Sequence, residues 1–430
     1  PLYYEKEIYS PYDFMGNRLG EGARRLVTGL FALGSILGQS VRVLVTAIIL
    51  QVVTGMDVPL CIVIIGAVAI LWTFMGGMQT VIWTDVIQFC LFIFGGVLAL
   101  CLLIGELGWS QIVELNQVTI DGSDKDKLTW LDFTSPFQDP ALRYTMWVAL
   151  IAMPFQNFTA FGIDQLNTQR MFCCGNVKDA RKAMCWSSIS IFVTILMLAV
   201  GAGLFAWYRA YEPSGLIAES FEKSNNVFPT WITMEVAPGL SGLILAGAFA
   251  AAISSLDSIL AALSQASLSV FYGRDKLEAA GKGREMVRLS RIVVCIWGVI
   301  LTAAGLGLWV VYKNNPDSDL IGLAFGMVAY TYGPLLGVLA AAILPLRVST
   351  KGLIWGTILS VLLVSWFRPE LPLVLEAMGL STWAQQVILL RPELTSEWFF
   401  PLNASITLLC GWLGSLLGSS GASVSVDKQR

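Results

Sequence analysis

Long apolar runs, separated by short polar segments, set the pattern of this chain. A bilayer-crossing helix needs about 20 mostly apolar residues. Ten stretches meet or approach that length: roughly 24–52, 57–76, 79–107, 142–163, 186–210, 237–272, 288–313, 320–346, 350–368 and 397–418. Val86–Gly105, Tyr144–Ile163, Met184–Tyr208 and Ile292–Tyr312 contain no formal charge. The ninth stretch is the shortest, with Gly352–Phe367 as its uncharged part. The pattern predicts an all-α, polytopic membrane protein. Its expected organisation is a polar segment 1–26, a transmembrane domain 27–420 and a tail 421–430.

Charge tests the count of crossings. With ten spans, segments 1–26, 164–186, 273–291, 345–352 and 419–430 share one side and hold 18 of the 27 Lys and Arg residues. The opposite side holds eight, and Arg42 lies inside the first span. Basic loops stay cytoplasmic. Both ends of the chain are therefore expected inside a cell (plasma or inner) membrane. The long outer loops, 108–141 and 369–396, carry Trp109, Trp130 and Trp383, suited to the lipid–water interface.

Composition narrows the function. The chain has 430 residues, 56% of them hydrophobic and 13% charged, with a mean hydropathy of +0.69. It has no histidine, which excludes histidine zinc sites and Ser-His-Asp hydrolysis. A net charge of −3 and the lack of a basic block argue against a nucleic-acid partner. The eight cysteines require no disulfide framework. Pro1 stands where a methionine would begin a chain, so the sequence is expected to start partway into a longer one.

Polar residues inside the spans are few. In the sixth span, Ser254, Asp257 and Ser258 fall at i, i+3 and i+4 and share one helix face. Ser255 is one step around, and Ala250, Ala251 and Ala252 lie a turn earlier. Hydroxyls, a carboxylate and carbonyls are hard ligands that suit an alkali cation; serines bonding back to the preceding turn are the plainer reading. Asp85 lies inside the third span, beside Thr84 and Gln88, and follows a turn at Gly76-Gly77. A solvated carboxylate at a helix N-terminus is its alternative. Arg42 is too deep for its side chain to reach water easily; it either pairs with a buried acid or faces a cavity and meets an anionic solute. The fourth span carries Pro154 next to Gln156 and Asn157. Proline breaks helices, and broken helices at mid-membrane bind solutes in transporters. Arg170, near a helix end, reads as structural. Tyr330 and Tyr332 precede Pro334 and read as packing.

These segments resemble the sodium:solute symporter family, which includes sodium/glucose, sodium/proline and sodium/sialic acid cotransporters. The resemblance rests on Gly76-Gly77 with Val81-Ile-Trp-Thr-Asp85-Val-Ile-Gln88, on Asp164-Gln165 with Gln169-Arg170, and on Ala251-Ala252-Ile253-Ser254-Ser255-Leu256-Asp257-Ser258. Tyr3, Tyr12-Asp-Phe and Asn17-Arg18 add to it. It implies the leucine-transporter type of inverted-repeat fold, with the first core helices missing from this chain. It implies a sodium site using the Ala251 carbonyl and the Ser254 and Ser255 hydroxyls, and a second one at Asp85, Ser254, Asp257 and Ser258. Asn157 falls where sugar-transporting relatives bind substrate, but its neighbours do not match the sugar pattern.

The expected function is secondary active symport: inward sodium flow drives uptake of a small polar solute, with Arg42 pointing to an organic anion held by Arg42, Gln156 and Asn157. Sodium is the coupling ion, no other cofactor is expected, and the partners are the solute and membrane lipid. A proton-coupled transporter using Asp85 or Asp257 is the main alternative. A channel would need a continuous polar path. An intramembrane enzyme would need Asp85 and Asp257 as a dyad.

Overall fold

The computed structural model describes residues 2–5, 10–75, 78–117, 128, 131–135, 142, 144–212, 224–272, 283–313, 320–368, 370–377, 379–391 and 394–417. Gly76-Gly77, Trp130, the basic stretch 273–282 and the tail 421–430 lie outside the described residues.

Helices form wherever the apolar runs predicted them. The chain opens with α1 (Leu2–Glu5) and α2 (Pro11–Leu19), then α3 (Glu21–Thr54), α4 (Val58–Met75), α5 (Met78–Leu107) and α6 (Trp109–Asn116). A π-helical turn, Val148–Ala152, leads into α7 (Met153–Gly162), followed by α8 (Gln165–Phe172), α9 (Val177–Ser187) and α10 (Ile191–Tyr211). The rest comprises α11 (Val227–Met234), α12 (Leu240–Tyr272), α13 (Gly283–Lys313), α14 (Leu320–Ile343), α15 (Thr350–Phe367), α16 (Glu370–Ala377), α17 (Ser381–Leu390) and α18 (Phe399–Leu417).

Local chemistry sets the boundaries. Ser10 caps α2 by accepting from the Tyr12 amide, with Pro11 in the first turn. Gly20, at φ 94°, turns the chain from α2 into α3, and Gly55, at φ 72°, ends α3. Both angles favour glycine. Asp164 and Asn176 cap α8 and α9 in the same manner as Ser10.

Among the described residues, nine helices are long and apolar enough to cross a membrane. The fourth expected span is the exception. It is a shorter apolar helix, Val148–Gly162, interrupted by the π-helical turn at its start. Pro154 lies just past the π turn, and its missing N–H is the local cause of the irregular ladder. The fifth expected span sits in the second half of a longer candidate, Val177–Tyr211.

The packed interior is divided among neighbouring helices. One cluster joins α3, α4, α12, α13 and α14 through Leu44, Ile62, Leu256, Leu301 and Met327. Another joins α2, α3, α12 and α14 through Tyr12, Phe31, Leu263 and Val338. A third ties α5 and α10 to α11 and α12 through Leu103, Trp207, Trp231 and Ile244. The outward faces stay apolar: Trp83 and Ile87 on α5, Leu198 on α10, Val299 on α13, and Trp355 and Leu362 on α15 are exposed. A surface of that kind fits lipid as its solvent. Two aromatics expected at the interface, Trp109 and Trp383, are exposed as well. All eight cysteines are free thiols.

Candidate functional site

The polar residues of two distant spans meet where α5 packs on α12. Asp85 is on α5; Ser254, Asp257 and Ser258 are on α12. Ser254 donates to Asp85 Oδ1 at 2.5 Å. Ser258 lies 3.4 Å from Asp85 Oδ2 and 3.4 Å from Asp257 Oδ1. One hydroxyl has one proton, so Ser258 serves one of these carboxylates at a time. Asp257 is fully buried, and among the described residues its Oδ2 has no hydrogen-bond partner. The i, i+3, i+4 spacing thus delivers what it predicted: three polar side chains on one face, all near one carboxylate of another helix.

The alkyl hydroxyl beside this group behaves differently. Ser255 donates to the Ala251 carbonyl at 3.4 Å, the back-bond to the preceding turn. Ala251 and Ser255 are both half-buried. Their two oxygens lie side by side on a face of α12 adjoining Ser254.

Arg170 was expected to be structural, yet it enters the cluster. It sits in the last turn of α8. Its Nη2 donates to Asp85 Oδ2 at 2.5 Å and to Ser258 Oγ at 2.7 Å. The Arg170 side chain is 39% exposed and that of Asp85 16%. A rule of charge would have found it: a carboxylate inside a span needs a counter-charge, and few cations stand near mid-span segments.

Asp164 forms a second junction. It caps α8 by accepting from the Leu166 amide at 2.9 Å, and it accepts from the Tyr332 hydroxyl at 2.6 Å. Burial pushes its carboxyl above the ordinary range, against the pull of the Tyr332 hydroxyl, the Leu166 amide and the Arg42 charge. Tyr332 therefore does more than pack, although its ring also lies 6.4 Å from that of Phe400. The neighbouring Gln165 accepts from Ser10 at 3.0 Å, and its amide donates to the Tyr12 hydroxyl at 3.3 Å. These bonds fasten the first segment of the chain to the α7–α8 joint.

The three residues expected to hold solute are less closely gathered. Arg42 is exposed on α3 and donates to Gln39 Oε1 at 3.4 Å. Among the described residues it forms no ion pair with a carboxylate. Gln156 is half-buried and Asn157 exposed on α7, and neither hydrogen-bonds to a described residue. The bond from α7 to α14 runs instead through Thr159, which donates to the Tyr332 carbonyl at 3.2 Å.

A bundle of membrane-length helices enclosing a carboxylate–hydroxyl cluster and a mid-span helix break has the architecture of a solute transporter. A family model describing the sodium:solute symporter family matches residues 2–360, and the chain belongs to that family. Sodium/sialic acid symporter SiaT of Proteus mirabilis (strain HI4320) is 26% identical over 374 residues, covering 85% of this chain and 71% of the relative. Sodium-coupled monocarboxylate transporter 2 of Bos taurus is 25% identical over 421 residues, covering 93% of this chain and 65% of the relative. A solved structure, the substrate-bound outward-open state of a Na+-coupled sialic acid symporter, shares the fold. It superposes with a TM-score of 0.71 at 21% identity, over 99% of this chain and 81% of that one. The chain is a sodium-coupled transporter of the leucine-transporter fold, and the aspartate-dyad enzyme falls away.

Proposed function

We propose that this protein carries a small organic anion into the cell, with sodium bound by the oxygens of α5 and α12. The observation that carries this reading is the meeting of Asp85, Ser254, Asp257 and Ser258 inside an apolar bundle. Isolated charge there is costly, and hard oxygens at that spacing suit sodium. Ser254, Ser255 and the Ala251 carbonyl form one set of ligands; Asp85, Ser254, Asp257 and Ser258 form the other. Each inward sodium ion gains about 2.3 kcal/mol per 100 mV of membrane potential, before its concentration gradient. Coupling follows if sodium binds one conformation better than the other.

The solute class rests on Arg42, an exposed guanidinium in the middle of α3 without a carboxylate partner among the described residues. The named relatives transport sialic acid and monocarboxylates, and both solutes bear a carboxylate that such a guanidinium would meet. Gln156 and Asn157 then line the same path from α7. With the short helix Val148–Gly162 as a tenth crossing beside the nine longer ones, the basic side faces the cytoplasm, both ends of the chain lie on it, and the membrane is the plasma or inner membrane. Lipid is a partner and nucleic acid is not.

Uptake of a radiolabelled anion by the full-length protein tests the reading. Ser254→Ala removes a hydroxyl next to a charge, so half-saturating sodium is expected to rise on the order of tenfold. Unchanged sodium dependence would refute the ligand assignment. Arg42→Gln is expected to raise the KM for an anionic solute while sparing a neutral analogue; equal KM values would remove Arg42 from the solute path. A proton-coupled reading draws on one observation, the Oδ2 of the buried Asp257, unpartnered among the described residues. Sodium-free uptake that grows at low pH would favour it.

A further inference from the structure

The Arg170 guanidinium sits at a point that a small cation would claim. Its Nη2 is 2.5 Å from Asp85 Oδ2 and 2.7 Å from Ser258 Oγ. A hard ion of calcium-like radius, as sodium is, lies about 2.3–2.6 Å from its oxygens. A guanidinium nitrogen and such an ion cannot share one point. We propose that Arg170 is a tethered stand-in for the coupling ion: it holds the Asp85–Ser258 half of the cluster when sodium is away, and sodium enters by displacing it. This rests on the sodium-coupled reading above and names a competitor within the same site.

Three observations support displacement over a permanent tie. Arginine binds a carboxylate most firmly through two parallel bonds, yet only Nη2 of Arg170 reaches Asp85. The pair is also only partly enclosed, with 39% of the Arg170 side chain and 16% of the Asp85 side chain exposed, and ion pairs that are not fully buried hold less firmly. Finally, Asp257 is left unanswered. It is wholly buried, its Oδ2 has no partner among the described residues, and its Oδ1 depends on a Ser258 hydroxyl that Asp85 also claims. Two carboxylates thus face one fixed cation. Entry of one monovalent ion, with the guanidinium moved aside on its flexible stem, places two cations beside two carboxylates. By linkage, whatever favours the guanidinium in its place disfavours sodium by the same factor. Release of the ion would be assisted by the returning side chain.

Equilibrium binding of ²²Na+ to the purified full-length protein tests this independently of transport. Arg170→Gln removes the competitor, and half-saturating sodium is expected to fall about fivefold or more. Arg170→Lys keeps a charge on a shorter side chain, so a smaller fall is expected. In an Asp85→Asn background the contested carboxylate is absent, and the Arg170→Gln effect is expected to vanish. Unchanged or weakened sodium binding in whichever Arg170 variant folds would overturn the proposal, because a simple tie that positions Asp85 predicts weakening. An equal fall in the Asp85→Asn background would also overturn it, showing a general field effect instead of competition. Wild-type protein that binds no sodium would overturn the sodium-coupled reading itself. Sodium binding by wild type, with no fall in the variants, would overturn the role of Arg170 alone.

Discussion

Position 164 shows how much one side chain can be asked to do. Asp164 caps α8 and receives the Tyr332 hydroxyl of α14, with its own side chain buried. Its carboxyl is raised by burial, so the folded protein holds that proton to higher pH than the unfolded chain does. The sign follows from linkage: this contribution to stability is full below the unfolded value and is lost as pH rises through the folded one. Asp164→Asn keeps one acceptor oxygen, which can still cap the Leu166 amide, turns an N–H towards the Tyr332 hydroxyl oxygen, and does not titrate. Its Tm in detergent should fall less than that of wild type as pH is raised from the acidic range; parallel curves would show that Asp164 is not a titrating contributor. Much at this scale could be read from sequence. Helical spacing alone put Ser254, Asp257 and Ser258 on one face, and the structure joins that face to Asp85. Arg170 escaped because its partners lie 85 and 88 positions away on two other helices. Local pattern registers such pairs only as a charge without a stated partner.

Among the elements, the long apolar helices were legible because they need little more than uninterrupted hydrophobic length. The exception, Val148–Gly162, was foreshadowed by Pro154, but not the π turn before it. One extra residue in a single turn leaves no trace in a periodicity spread over four turns. Close helix contacts were likewise visible only as abundant glycine. The structure shows which glycines matter. A Cβ at Gly356 of α15 would lie 2.8 Å from the Thr407 Cα of α18, a backbone atom that cannot step aside. Gly356→Val is therefore expected to destabilise the protein by at least about 1–3 kcal/mol, the range for overpacking. Thermal unfolding in detergent measures it; a Tm equal to that of wild type would show that the two helices can separate freely. Val at Gly307, where a Cβ meets nothing within 4 Å, is the control.

For the molecule as a whole, charge asymmetry predicts one orientation, and natural cysteines can report it. Cys173 is exposed in the short turn between α8 and α9. A membrane-impermeant maleimide should label it in inside-out vesicles and not in right-side-out ones, with Cys173→Ser, Cys174→Ser and Cys185→Ser together removing the signal. Labelling from the outer side would invert the assignment. The side of the membrane is a sequence expectation, because it depends on counting loop charges. The arrangement of helices in space was not, since each apolar run is equally content against any neighbour in lipid. The three helices α14, α15 and α18 repay a last look. At Gly333, Gly337, Gly352 and Gly356 a Cβ would meet the facing α18 at 2.8 Å or closer, at its backbone or Cβ atoms, and Ser360 hydrogen-bonds both Thr407 and the Asn403 carbonyl. With Cβ atoms and backbone set this close, the interface has no slack for one helix to slide on the next. A slab so closely set is expected to travel as a single piece.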